Sequence, residues 1–382
     1  MALTTVSSDR LATNVKTSNL GTELSKKVGQ SKNLIINGAF QIAQRGTSST
    51  ANGYGSVDRF KVQYSGTDEA PTHAQVDVAS GTTPYTSGFR KALKVTNGNQ
   101  TSGAGAADYI FILTRLEAQD IANNGWNYLS SSSNITLSFW VKSSVAQNFY
   151  GRVMSQDGTT YNFPFETGAL SADTWTKITK TIPGNSNLQF DNNVGPGLRI
   201  EIAPFYGTDF TASTSLNTWA AFNSSSRTPD YTSTWYTTND ATFEVTGLQL
   251  ELGSVATDFE HLSFIDDLRR CQRYYYDHAN GTRVANEYIG QGYGWSASQL
   301  EHVVRFPVPM RVAPSLENST GTNYYAFRNE NQEVYLSDMD IDNATTNTAL
   351  LYKSAISGAT EGRAYRFQLL NSSAYLHFNA EL

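Results

Sequence analysis

Apolar and polar residues alternate in twos along much of this chain, and the cleanest case is Ile135-Thr-Leu-Ser-Phe-Trp-Val-Lys142. Ile135, Leu137, Phe139 and Val141 share one face and Trp140 lies on the other, as in a strand buried on one side. Leu198, Ile200 and Ile202 alternate with Arg199 and Glu201 in the same way. The pattern predicts strands over 34–36, 60–63, 91–95, 109–113, 135–142, 149–154, 176–182, 198–203 and 241–252. Asp157-Gly158 reads as a hairpin turn, and a short helix over 114–123 interrupts the series. Many short strands with turn signals between them predict a jelly-roll β-sandwich over residues 31–262.

The last of these strands changes phase. Ala241, Phe243 and Val245 point one way, then Leu248, Leu250 and Leu252 carry the apolar face, with Gly247 at the slip. An extra residue there would form a bulge. Gly253 ends the run. Ser263 can then cap a helix with Phe264, Leu268 and Cys271 on one side. Asp266 and Asp267 fall in its first turn and Arg269, Arg270 and Arg273 later, which suits the helix dipole. This linking segment, 263–279, opens a second, smaller β domain over 280–382.

In that domain Val304, Phe306, Val308, Met310 and Val312 fall on one face of a run from 302 to 312, and Pro307 and Pro309 on the other. Proline cannot donate to a ladder, so the run predicts an edge strand. Tyr365, Phe367 and Leu369 alternate next, and Leu376, Phe378, Ala380 and Leu382 close the chain. Residues 1–30 differ from the rest. They lack aromatics, and Leu11, Val15, Leu20, Leu24 and Val28 make one narrow helical stripe. That stripe reads as a short helical anchor or oligomerisation arm, or as a frayed terminus.

Composition narrows the role. Only 16% of the 382 residues are charged and the net charge is −6, so clustered cations for a nucleic-acid backbone are not expected. No apolar run approaches the roughly 20 residues that span a bilayer, and no secretory signal follows Met1. The single cysteine, Cys271, excludes an intrachain disulfide and reads as a small buried residue.

Candidate chemistry is sparse. The five histidines are scattered without metal-site spacing. Asp338, Asp340 and Asp342 have the spacing that opens a calcium loop but lack its glycine and later glutamate. Glu117, Asp120, Glu166 and Glu201 could serve a glycosidase, yet no spacing pairs them. No catalytic residue, metal or cofactor is therefore expected. Aromatics give more. Trp219, Phe222, Tyr231, Trp235 and Tyr236 crowd a polar stretch, and Tyr288, Tyr293 and Trp295 crowd a glycine-rich one. A sugar ring stacks on an aromatic plane while Asn, Asp and Thr bond its hydroxyls. Trp219, Tyr231, Trp235, Tyr236, Tyr293 and Trp295 are thus candidate glycan contacts. The alternative is that Trp219 and Trp235 plug the sandwich end or lie between subunits.

A family resemblance rests on LQLELGSVATDFE (248–260) followed by DDLRRCQRYYY (266–276), and on NLIINGAFQIAQRGTS (33–48) followed by SVDRF (56–60). These motifs resemble those of tail-fibre and receptor-binding-type structural proteins of tailed phages. The resemblance covers the two ends of the middle domain and the helix. It implies a jelly roll similar to a carbohydrate-binding module. It also implies a virion location after synthesis in a host cytoplasm, other tail or capsid proteins as partners, and a host cell-surface glycan as target. Modules of the resembled kind often hold a structural calcium, but Thr246-Gly247 stands where an acidic ligand would often be. The expected role is a non-catalytic, homotrimeric adhesin. A capsid decoration protein or head fibre is the first alternative, and a polysaccharide depolymerase the second.

Overall fold

Alternation of the kind seen at 135–142 builds two facing antiparallel sheets in a computed structural model that describes residues 32–282, 286 and 288–382. The predicted arm, with Leu11, Val15, Leu20, Leu24 and Val28, lies outside the described residues. The first twelve strands are β1 (Ser48–Ser49), β2 (Lys61–Ser65), β3 (Thr72–Asp77), β4 (Lys91–Thr96), β5 (Tyr109–Glu117), β6 (Asn134–Ser143), β7 (Asn148–Ser155), β8 (Tyr161–Ala169), β9 (Thr176–Pro183), β10 (Pro196–Tyr206), β11 (Ala220–Ala221) and β12 (Thr242–Leu252). They pair in the orders β1-β3-β4-β12-β6-β9 and β11-β8-β7-β10-β5-β2. Most connections cross from one sheet to the other, with β3–β4, β7–β8 and β10–β11 staying within a sheet, so the chain is mainly β and this part is a β-sandwich of the jelly-roll type. Ile135, Leu137, Phe139 and Val141 are fully buried between the sheets, against Val153, Phe165 and Ile200.

The phase slip in β12 is a bulge. Its register with β6 shifts between Thr246 and Gln249, and Gly247 takes a φ of +66°. A Cβ at Gly247 would also sit 2.5 Å from the Phe89 ring. Gly247→Ala is therefore expected to destabilise the sandwich by roughly 1–3 kcal/mol. A thermal melt checks this, and an unshifted melt would place the bulge elsewhere.

Other expectations need correction. The segment 34–36 forms no strand, although Leu34 N–H donates to the Leu250 carbonyl. The helix expected over 114–123 is only Ala118–Ala122, because β5 runs on to Glu117 between β2 and β10.

Among its described residues the C-terminal part has ten strands. They are β13 (Tyr275–Asn280), β14 (Tyr288–Ser296), β15 (Gln299–Arg305), β16 (Ser315–Asn318), β17 (Tyr325–Arg328), β18 (Glu333–Leu336), β19 (Asp340–Asp342), β20 (Thr348–Lys353), β21 (Ala364–Leu369) and β22 (Tyr375–Asn379). Three pair as β13-β22-β16 and seven as β18-β17-β21-β14-β15-β20-β19. The run from 302 to 312 is not an edge strand. β15 stops at Arg305, before Pro307 can break the ladder, and lies inside the sheet between β14 and β20. Val304 and Met310 nonetheless both point inward, at 1% exposure each.

Between the two parts runs the helix Phe264–Gln272, whose cap Ser263 accepts from the Asp266 N–H at 3.2 Å. It ends well before 279, because the chain enters β13 at Tyr275. Cys271 is buried as expected, but Phe264 is exposed, and Asp267 takes the buried place one turn before Cys271. Polar contacts tie the two parts together. Glu117 takes two hydrogen bonds from Arg273, at 2.7 and 2.8 Å, and one from the Tyr274 hydroxyl at 2.5 Å. Glu381 pairs with Arg45 and with Arg59, whose guanidinium lies 3.4 Å from the centre of the Tyr274 ring. Arg311 donates to the carbonyls of Ala380, Glu381 and Val194.

Candidate functional site

The long polar stretch from 208 to 239 folds back over the sandwich, and its aromatics turn inward. Trp235 and Tyr236 sit on the short helix Thr234–Thr237 and are both 0% exposed. Trp235 Nε1 donates to the Thr242 carbonyl at 3.0 Å, and Tyr236 stacks on Phe205 with centroids 4.3 Å apart. Trp219 is buried with its Nε1 on the Pro183 carbonyl at 2.7 Å. Tyr231 is half-buried, with its hydroxyl between the carbonyls of Tyr150 and Ala203. The expectation that these four contact a glycan is thus corrected. Each closes the sandwich, and a ring whose faces are packed cannot stack on a ligand.

The second aromatic cluster faces outward. β14 carries Tyr293 at 39% exposure and Trp295 at 59%, two residues apart on one face, with centroids 6.4 Å apart. The flanking glycines, Gly292 and Gly294, lie tight against neighbouring backbone. A Cβ at Gly292 would meet the Glu301 carbonyl at 2.3 Å, and one at Gly294 the Thr360 carbonyl at 2.1 Å. Side chains are therefore excluded at Gly292 and Gly294, and the large residues beside them, Tyr293 and Trp295, project outward. Tyr293 opposes Glu301 on β15, and its hydroxyl donates to that carboxylate at 2.7 Å, which pushes the Tyr293 pKa up. Gln299 also donates to Glu301, at 2.7 Å. Val303 adds an exposed aliphatic surface on β15. Arg366 stands opposite Gln291 and 5.3 Å from the centre of the exposed Tyr288 ring. The result is an exposed aromatic platform on a seven-stranded sheet, with the Gln299 amide and the Arg366 guanidinium at its edge and the buried Glu301 carboxylate beneath, fixing the Tyr293 hydroxyl.

Aromatic crowding in a glycine-rich stretch pointed to Tyr293 and Trp295 but not to Glu301, Val303 or Arg366. Those reach the platform through strand pairing, which a linear pattern does not encode.

The acids considered for catalysis have other work. Glu117 sits in the junction described above. Burial alone would raise its pKa, but the hydrogen bonds from Arg273 and Tyr274 outweigh that and hold it low. Glu201 is clasped by Arg152 and Arg199. Glu166 accepts from Asn148 at 2.8 Å, and Asp120 lies at the surface. Asp338 and Asp340 share Lys353 as a partner, and among the described residues no group of three His, Cys, Asp or Glu is placed to hold a metal ion. Burial pushes the Cys271 thiol pKa well up, away from nucleophilic use.

No protein-family model and no curated protein sequence matches this chain. Solved structures resemble the sandwich. One described as CBM4 covers 58% of this chain and 100% of its own, at 12% identity and a TM-score of 0.29. The N-terminal cellulose-binding domain of Cellulomonas fimi beta-1,4-glucanase C covers 56% and 97%, at 13% identity and 0.26. A family 11 carbohydrate-binding module from Clostridium thermocellum, solved with a beta-1,3-1,4-mixed-linked tetrasaccharide, covers 56% and 98%, at 12% identity and 0.24. Likeness at this level says nothing of what this chain binds. Among the described residues no helix is long and apolar enough to cross a membrane.

Proposed function

We propose that this chain is a non-catalytic adhesin of a tailed-phage virion, of the tail-fibre or receptor-binding type, and that it contacts a host-surface glycan. The observation that carries the binding role is the outward pair Tyr293 and Trp295, edged by Gln299 and Arg366, with the Tyr293 hydroxyl held by Glu301. An exposed aromatic face costs solubility, and such faces commonly mark interaction sites. Sugars suit it because their apolar faces stack on rings while their hydroxyls reach the edging polar groups. The virion assignment is supported by the motif resemblance at 33–60 and 248–276. The proposed assembly is a homotrimer, in which repeated weak contacts raise avidity. Light scattering on the full chain tests this, and a monomer in solution would remove it.

The binding test compares wild type with Trp295→Ala on host cells at low and high salt. Loss of one stacked ring is expected to cost about 1 kcal/mol per site, amplified by avidity, with an unchanged melt. Salt should matter little, because the net charge of −6 gives no long-range pull toward an anionic surface. Full binding by folded Trp295→Ala would remove the platform from the reading. Collapse of binding at high salt would replace stacking with a charged receptor.

A further inference from the structure

The sandwich, the helix Phe264–Gln272 and the C-terminal part enclose a cleft of about 840 Å3, whose lining includes none of the β14 platform residues. Its floor is one face of the sheet β13-β22-β16. Strand register sets Asp277, His377 and Glu317 side by side in one row across it. His377 Nε2 lies 3.2 Å from the Asp277 carboxylate, and the Tyr275 hydroxyl bonds its Nδ1. The Tyr375 ring stacks on that of His377 at 4.6 Å. Across the cleft the helix contributes an apolar wall of Phe264 and Leu268, and Phe264 is 57% exposed. Arg45 also lines the space. Its side chain is only 7% exposed and pairs with Glu381 through Nη1, but Nη2 has no hydrogen-bond partner among the described residues.

We propose that this cleft is a second saccharide site, which takes a short, uncharged oligosaccharide. Pockets of this size between domains, mostly apolar with a few converging polar groups, are usual ligand sites. An apolar wall opposite a row of hydrogen-bonding groups matches the two-sided character of a sugar ring. The buried Nη2 of Arg45 supplies a donor for a hydroxyl, and leaving that donor unbonded is costly. Glu317 disfavours acidic sugars, because the one guanidinium among the described lining residues, that of Arg45, is already matched by Glu381. A neutral ligand meets no such opposition. The inference rests on the glycan-binding reading but uses none of the platform's residues.

The test is isothermal titration of the full chain with chitotriose, cellotriose, maltotriose and, as the charged counterpart, N-acetylneuraminic acid. Phe264→Ala strips the apolar wall, Ser373→Trp fills the cleft, and Trp295→Ala controls for the platform. Phe264 and Ser373 are both exposed, so all three variants should melt like wild type. At least one neutral trisaccharide should bind, with affinity about tenfold weaker in Phe264→Ala and absent from the cleft in Ser373→Trp. Trp295→Ala should leave that binding in place. Equal affinity in wild type, Phe264→Ala and Ser373→Trp would overturn the cleft. If Trp295→Ala alone removed binding, the platform reading would stand without it. No heat with any neutral trisaccharide, or cleft-dependent binding of N-acetylneuraminic acid, would also overturn it. Host-cell binding by Trp295→Ala would still decide the platform separately.

Discussion

Trp235→Ala should destabilise the sandwich by about 3–5 kcal/mol, the cost usual for truncating a fully buried tryptophan. The ring is 0% exposed and meets Phe243 edge-on at 6.4 Å. Its loss would leave a cavity at the end of the core, beside the strand that closes the domain. The hydrogen bond from Nε1 adds little. The Thr242 carbonyl it serves also accepts from the Ser144 N–H at 3.0 Å and so keeps a partner. A domain's whole stability is about 5–15 kcal/mol, so the loss is a large share of it. Calorimetry is the right measurement because the two parts of the chain can unfold separately. The lower-stability transition in Trp235→Ala should be the sandwich's, while Trp295→Ala should stay within about 0.5 kcal/mol of wild type. A Trp235→Ala protein that melts unchanged would mean the ring does not fill the core.

Trp235 also shows where reading the sequence fails. Its neighbours Thr234 and Thr237 are polar and the stretch lacks strand alternation, which made it look like an open loop. Burial here is decided by which end of the sandwich the loop crosses, and by a single helical turn that rotates both rings inward. Strong alternation, by contrast, was legible. β6, β10 and β12 fall where their patterns put them, and the bulge falls at the glycine where β12 changes phase. β8 was not legible, because Pro164 sits in its middle. The strand tolerates that proline near the sheet margin, where only the two-residue β11 lies beyond it. β3 was missed because THAQVD has too few apolar residues to show a face, yet it pairs with β4 along its whole length. The C-terminal platform was half legible. A glycine-aromatic rhythm exposes Tyr293 and Trp295 to a reader, but Glu301 and Arg366 arrive through register. The cleft was illegible, since its lining comes from stretches near 45, 264, 277, 317 and 377.

Glu201→Gln should cost the sandwich about 3–5 kcal/mol near neutral pH and also flatten its acid sensitivity. Glu201 is 0% exposed on β10. Arg152 holds it with two hydrogen bonds, at 2.6 and 3.0 Å, and Arg199 and the Tyr206 hydroxyl complete the cluster. Arg152 is itself 1% exposed, so removing the carboxylate charge strands a buried guanidinium, which is the expensive way to break such a pair. Burial alone would raise the Glu201 pKa, but the Arg152 and Arg199 charges outweigh it and lower the value from 4.5 to about 2. The folded-state pKa is thus below the unfolded one. The resulting stability is present above pH 4.5 and is lost as pH falls from there to about 2. That shift corresponds to about 3 kcal/mol. Melting temperatures of wild type and Glu201→Gln from pH 7 down to pH 2 test both parts. Wild type should fall steeply below pH 4.5, while the variant starts lower and declines less. Parallel pH profiles would mean that other carboxylates set the acid limit. A variant as stable as wild type at pH 7 would mean that Arg152 finds a partner without Glu201.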